Sequence, residues 1–363
     1  NFLRPEVRLQ KATGGQDVQA LDGRAILVTG STQGLGAAIA LEAARQGARA
    51  VALSGRSAHK GAGVAAALQA MGCKARVFAA DLAGPEAPAA LFAQAADWCG
   101  PLDGLVNAAG ATDRASFLDG TAALWDRLFA LNARAPFLLM QAFIRQCLAL
   151  DRPGSVVNIQ SMNVHCGAPD LAIYAASKGA LQVLTKNAAN AHLADRIRVN
   201  GINMGWAATP AEQLMQSETL GNGAGWQARA AAAMPLGRLL EVEEVARLAA
   251  YLLGSQSGLQ TGTCTDLEQR VLGALQVLLQ TRRTGIPTST PEALHLVARL
   301  ARSLGLGVPD ARRLLYAATL HDAGMARVED EIVLGAAPLS WDERDEVDPV
   351  SYTHLTLPTN REV

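Results

Sequence analysis

Apolar residues fall in short runs along the first three quarters of the chain, at 25–29, 50–54, 75–80, 104–107, 155–160, 197–202 and 263–267. Each run is apolar almost throughout rather than alternating, the pattern of a strand buried on both faces of a parallel sheet. Between the runs lie Ala-rich stretches with helical spacing, among them 35–46, 85–98, 124–149 and 174–193. Gly47 stands where a glycine closes the first of these helices, and Pro136 predicts a kink within the third. Strands alternating with helices predict an α/β fold, a Rossmann-type doubly wound parallel sheet.

After Leu267 the strand signal stops. The remainder to Asp348 reads as a small all-α segment, with apolar spacing such as Leu294, Val297, Ala298, Ala301 and Leu304. The expected organisation is an N-terminal extension (1–20), a dinucleotide-binding domain (21–271), a helical partial domain (272–348) and a tail (349–363). The acidic run 342–348 reads as a solvated helix face rather than a metal site. The chain begins at Asn1 instead of Met, which reads as a missing start. The stretch 350–359 resembles a translated sequencing adapter and is set aside from fold reasoning.

Composition narrows the function classes. Half of the 363 residues are hydrophobic and only 18% are charged, with a net charge of −1. Such a chain has no electrostatic footprint for nucleic acid or an anionic membrane. No apolar run reaches the roughly 18 residues of a membrane helix, so a cytoplasmic protein is expected. The five cysteines, Cys73, Cys99, Cys147, Cys166 and Cys264, contain no Cys-x-x-Cys pair and read as reduced, mostly buried thiols.

Chemistry concentrates at the ends of the predicted strands. Thr29-Gly30-Ser31-Thr32-Gln33-Gly34-Leu35-Gly36 joins the first strand to the first helix, where glycines let a backbone approach a pyrophosphate at a helix N-terminus. Its spacing is Gly-x-x-x-Gly-x-Gly, and alone it is a weak signal. Tyr174 and Lys178 lie four apart on a predicted helix and so share one face. A nearby ammonium favours a phenolate, so Lys178 is expected to lower the pKa of Tyr174 and fit it for general acid–base work.

The motifs together resemble the short-chain dehydrogenase/reductase family over 21–271. The glycine turn is followed by Asp81 after the third strand, Asn107-Ala-Ala-Gly110 after the fourth, Asn132 in the long helix, Ser161 after the fifth strand, and Tyr174-Ala-Ala-Ser-Lys178. The resemblance implies a catalytic set of Asn132, Ser161, Tyr174 and Lys178. Ser161 would hold the substrate oxygen, and Asn132 would support a water chain from Lys178. It implies cofactor contacts from Gly30, Gln33, Gly34, Leu35, Gly36, Arg56, Asp81, Leu82, Asn107, Gly110, Tyr174, Lys178, Gly205 and Thr209. Met204-Gly205 departs from the family's Pro-Gly, which puts the course of that loop in doubt.

The second strand ends in Ser54-Gly55-Arg56, where an acidic residue would mark NAD. The missing carboxylate and the adjacent guanidinium favour NADP, with NAD as the alternative. Met162, Asn163, His165 and Cys166, with the stretch 206–234, are expected to line and cover a pocket for a small carbonyl or alcohol. His165 could polarise a substrate oxygen, but a loop histidine in this position reads first as a packing residue. A homodimer or homotetramer is expected from the family's habit of assembling through its long helices.

Leu320-His321-Asp322-Ala323-Gly324 resembles the central motif of HD-type phosphohydrolases, from about 288 to 339. Ser289 stands where a ligand histidine should begin an upstream helix, Met325 replaces a lysine, and His295 is out of register, so no metal is expected. The sequence therefore reads as an oxidoreductase. The alternatives are a non-catalytic NADP-binding regulator with an HD-like output segment, and an HD phosphohydrolase with an appended dehydrogenase.

Overall fold

The computed structural model describes residues 19–165, 168–223, 225–232, 234 and 237–267. The HD-like segment, the adapter-like tail, Cys166 and the N-terminal extension up to 18 lie outside these residues. Seven strands form one parallel sheet: β1 (Ala25–Val28), β2 (Ala50–Gly55), β3 (Lys74–Ala79), β4 (Gly104–Asn107), β5 (Gly154–Ser161), β6 (Ile197–Met204) and β7 (Cys264–Leu267). Their order is β3-β2-β1-β4-β5-β6-β7. The doubly wound sheet expected from the sequence is thus present, with each strand end within one or two residues of its expected place.

The order follows from burial. Every residue of β1 and β4, at the centre, is buried, which is why these segments are apolar without alternation. The edge strand β3 alternates exposed and buried positions over most of its length. Successive side chains of β1 serve opposite faces. Ile26 and Val28 pack with α1 (Gly34–Arg45) and α9 (Val242–Leu253). Ala25 and Leu27 pack with α3 (Ala87–Cys99) and α5 (Ala135–Ala149). The chain winds outward from β1 to β3 and then returns to place β4 beside β1. Ligand crevices form at such a reversal, outside the carboxyl ends of the strands.

The long third helix is not one element. It divides into α4 (Ala122–Phe129), a π-helical turn (Ala130–Arg134) and α5. The π-helical turn ends at Arg134, and Pro136 is the second residue of α5. The departure from regular α-helix comes just before the proline at which a kink was expected, in the widened turn around Asn132. Helices α2 (Ala62–Ala70), α7 (Pro210–Leu214), α8 (Trp226–Ala232) and α9 were not singled out from the sequence. The remaining helix, α6 (Ala172–Ala191), carries Tyr174 and Lys178. Among the described residues, no helix is long and apolar enough to cross a membrane.

Candidate active site

The glycine turn leaves β1 and enters α1 at Gly34, with Gln33 exposed at the N-cap and making no side-chain cap hydrogen bond. The first N–H groups of a helix have no partner within it. Gly30 has φ +63°, and a Cβ there would stand 2.7 Å from Ala109 Cα. A Cβ on Gly36 would stand 2.3 Å from the Gly30 carbonyl oxygen. Two hydroxyls that the sequence reading gave no role hold this turn. Thr29 Oγ1 accepts from the N–H groups of Ala108 and Ala109, both at 3.1 Å. Ser31 Oγ donates to the Val28 carbonyl at 2.7 Å and accepts from Ser54 N at 3.0 Å. The turn is thereby tied to the ends of both β2 and β4, and the uncapped N–H groups fit an anionic pyrophosphate.

Around this turn the other expected cofactor residues gather. Leu35 and Leu82 are buried, and Asp81 is exposed with Oδ1 accepting from Ala83 N at 3.1 Å. Arg56 follows β2, is exposed, and makes no hydrogen bond or ion pair among the described residues. A Cβ on Gly55 would come within 2.6 Å of Thr32 Cγ2, so Thr32 fills the space a carboxylate side chain would need. Lys60, on the short turn His59–Gly61, is a second exposed cation that the sequence reading passed over. Thr209 lies against the glycine turn, its Cβ 3.6 Å from where a Gly34 Cβ would sit. Its Oγ1 accepts from Glu212 N and caps α7, leaving its O–H to donate elsewhere. Met204 extends β6 in register with Ser161 and Leu267, and Gly205 N donates to the Leu267 carbonyl at 2.8 Å. The loop left in doubt by the missing proline thus begins as regular strand.

The four expected catalytic residues are all buried and converge on the carboxyl end of the sheet. Ser161 ends β5 beside the Tyr174 phenol, whose pKa it pulls down. Its Oγ also accepts from Asn163 N at 3.2 Å and Asn163 Nδ2 at 3.1 Å, which fix it at its post. Asn132 Oδ1 accepts from Ala111 N at 3.0 Å, while its Nδ2 donates to Ala111 O and Ser177 Oγ. Both N–H donors of Asn132 are used, so only Oδ1 has capacity for a further partner. A Cβ on Gly110 would lie 3.2 Å from Asn132 Oδ1 and 3.3 Å from Lys178 Nζ, so this glycine makes room for both. Asn107 Nδ2 donates to Asn158 Oδ1 at 2.8 Å, and Asn158 and Gln160 both donate to Thr185 Oγ1. This buried amide ladder braces the site from below.

Electrostatics correct one expectation. The Tyr174 phenol is held above its ordinary range, by burial first; the Ser161 hydrogen bond opposes this and the charge of Glu212 adds to it. Lys178 is not among the groups that move it, and its Nζ donates to the Ile159 carbonyl at 2.8 Å. Burial brings the Lys178 ammonium down to about 8. A raised phenol stays protonated at neutral pH and is equipped to donate. His165 is half exposed and paired with Asp266 at 3.0 Å, so it is turned to β7. Burial raises the pKa of Cys73, Cys99, Cys147 and Cys264, which makes them poor nucleophiles.

The buried lysine carries a stability signature. Below about pH 8 the folded chain bears the full cost of a buried ammonium; above 10.5 the unfolded lysine is neutral too and the cost is gone. Between these values the unfolded state binds more protons, so stability rises with pH. The stability of the wild type relative to Lys178→Met is expected to increase by on the order of 3 kcal/mol across that window. Urea denaturation of both proteins at pH 7.5 and 10.5 measures it, and a constant difference would refute it.

A family model described as enoyl-(acyl carrier protein) reductase matches residues 30–267. The 2-(S)-hydroxypropyl-CoM dehydrogenase 3 of Xanthobacter autotrophicus is 34% identical over 244 residues, 67% of this chain and 94% of its own. A solved 3-oxoacyl (acyl-carrier-protein) reductase from Agrobacterium tumefaciens C58, with NADP bound, matches with TM-score 0.63 at 28% identity, covering 69% of this chain and 95% of that one. A solved NAD+-bound xylitol dehydrogenase matches with TM-score 0.63 at 27% identity, covering 69% and 99%.

Proposed function

This chain belongs to the short-chain dehydrogenase/reductase family, and from that premise we propose that it moves a hydride between NADP(H) and a small carbonyl or secondary alcohol, with Tyr174 as general acid and base. The family's named relatives are dehydrogenases and reductases acting on CH–OH groups. The observation that carries the reading is the convergence of buried Asn132, Ser161, Tyr174 and Lys178 at the crevice where the winding of the sheet reverses. A substrate oxygen placed between the Ser161 and Tyr174 hydroxyls would accept from both. The bound dinucleotide supplies or accepts the hydride. In the reducing direction Tyr174 passes its proton to the carbonyl oxygen and Ser161 holds that oxygen in place. Lys178, with its ammonium near neutrality, restores the phenol proton, and Asn132 Oδ1 has the one acceptor position from which a water could feed it. Gly30, Gly34, Leu35 and Gly36 would hold the pyrophosphate, and Asp81 and Leu82 the adenine. Asn107 and Gly110 would form the floor, and Gly205 and Thr209 the nicotinamide side.

NADP is the preferred dinucleotide in this reading, because an exposed Arg56, unpaired among the described residues, stands where Thr32 closes the space for a carboxylate. Family membership alone leaves the choice open, since one solved relative holds NADP and another NAD+. Arg56→Ala is expected to narrow the NADP-over-NAD preference by about 1–3 kcal/mol, as for hydrogen bonds to a charged group. Fluorescence titration with both dinucleotides checks it; an unchanged preference would show that Arg56 does not meet the phosphate.

A panel of ketones and sugar alcohols, followed by NADPH absorbance, tests the activity itself. The reading as a non-catalytic regulator gains no support from relatives that are themselves enzymes. Trp125, Phe137 and Val183, exposed on α4, α5 and α6, fit assembly as a homodimer or homotetramer through these helices. The reaction is assigned to the cytoplasm, and no part of it to 272–348 or 349–363.

A further inference from the structure

One buried hydroxyl beside the catalytic set has no part in the reaction as described. Ser177 stands in α6 one residue before Lys178 and is fully buried. Alanine is the better helix former at such a position, and a hydroxyl placed there must find partners once it is buried. Ser177 Oγ donates to the Tyr174 carbonyl at 2.7 Å and accepts from Asn132 Nδ2 at 3.0 Å. A hydroxyl carries a single hydrogen. With that hydrogen given to Tyr174, only lone pairs face Asn132, so the carboxamide must turn its N–H side toward α6. Its other hydrogen goes to the Ala111 carbonyl at 2.9 Å, and Oδ1 accepts from Ala111 N at 3.0 Å. A Cβ on Gly110 would lie 3.2 Å from this oxygen and 3.3 Å from Lys178 Nζ, so the two flank one small space. Ala111 holds the carboxamide from the loop after β4, whereas Ser177 ties it to the helix that bears Tyr174 and Lys178.

We propose that Ser177 is a positioning residue for proton supply: by accepting from Asn132 Nδ2 while donating to the Tyr174 carbonyl, it holds Asn132 Oδ1 at a fixed place beside the Lys178 ammonium. This deepens the reading of Tyr174 as proton donor, with Lys178 and Asn132 behind it, and rests on that reading. Without the Ser177 oxygen, one Asn132 N–H is buried with no partner, a cost the carboxamide relieves by turning. Oδ1 then leaves its place, and the return of a proton to Tyr174 slows while the hydride step and the cofactor cradle are untouched.

The test compares the wild type with Ser177→Ala and Ser177→Thr, using NADPH and whichever ketone the panel identifies. S177A removes one oxygen from the interior, and urea denaturation checks that it folds. Its kcat should fall about tenfold, the scale of one buried hydrogen bond, while KM and NADPH affinity stay within about twofold. Proton return should now limit turnover, so the solvent isotope effect on kcat should rise and the effect of deuterating the transferred hydride should shrink. A packing defect alone would move neither. S177T restores the hydroxyl and should recover kcat. A second readout needs no substrate: the Asn132 side-chain N–H signals, assigned as the pair missing from Asn132→Ala, should exchange with solvent at least tenfold faster in S177A, since they have lost a partner. Unchanged kcat, unchanged isotope effects or unchanged amide exchange in S177A overturns the proposal, as does a folded S177T no faster than S177A. Activity retained in Tyr174→Phe would instead sink the reading beneath it, and the amide exchange would still report whether Ser177 holds Asn132.

Discussion

Tyr174→Phe is expected to lower turnover by on the order of a thousandfold, the scale of a lost general acid, while NADPH binding persists. The substitution keeps the ring that packs in a small apolar cluster with Leu128, Leu171 and Ile173 and removes only the hydroxyl. Because the loss falls on the chemical step, kcat and kcat/KM should fall together. NADPH titration by fluorescence, alongside steady-state turnover on whichever ketone the panel identifies, separates the two effects. Turnover within a few fold of the wild type would remove Tyr174 from the mechanism. Loss of NADPH binding as well would place it in the cofactor cradle alone.

Gly36→Ala should produce the largest loss of cofactor affinity without touching a polar side chain. Its Cβ would meet Gly30 O at 2.3 Å, Gly30 C at 2.7 Å and Ser31 Cα at 2.9 Å, all backbone atoms. Those atoms cannot retreat, because Ser31 is bonded to both Val28 and Ser54 and Gly30 already abuts Ala109. The helix must therefore shift off the turn, at about 1–3 kcal/mol of stability for overpacking. The N–H groups of its first turn move with it, so NADPH affinity should fall at least tenfold, or about 1.4 kcal/mol. Gly63→Ala is the control: nothing lies within 4 Å of its Cβ position, and it sits in the exposed start of α2. It should be neutral or slightly stabilising, as alanine favours helix. Equal behaviour of the two variants in denaturation and NADPH titration would refute the steric argument.

Much of the scaffold was readable because its signals are local. Strands buried on both faces are largely apolar, and β1 is so throughout; glycine spacing marked the turn into α1, and the four-residue interval put Tyr174 and Lys178 on one face of α6. Asn132 was identified, but not the π-helical turn it occupies. That turn is anchored by hydrogen bonds to Ala111 and Ser177, distant in sequence, while the visible proline only begins α5. Thr29 and Ser31 stood in plain view within the motif, yet their partners come from elsewhere in the sequence, Ser54 from β2 and Ala108 and Ala109 from the loop after β4.

The sequence by itself determined the doubly wound sheet, the family, and the residues brought to its carboxyl edge, because periodicity, turn chemistry and motif order are properties of neighbouring residues. The tertiary structure decided what those residues feel. Lys178 turns to the Ile159 carbonyl, Tyr174 is raised by burial rather than lowered by its neighbour, and Glu212 lends a charge from a helix the sequence reading had left as part of a lid. Desolvation and field depend on every segment that closes around a group, and those segments meet only when the chain is folded.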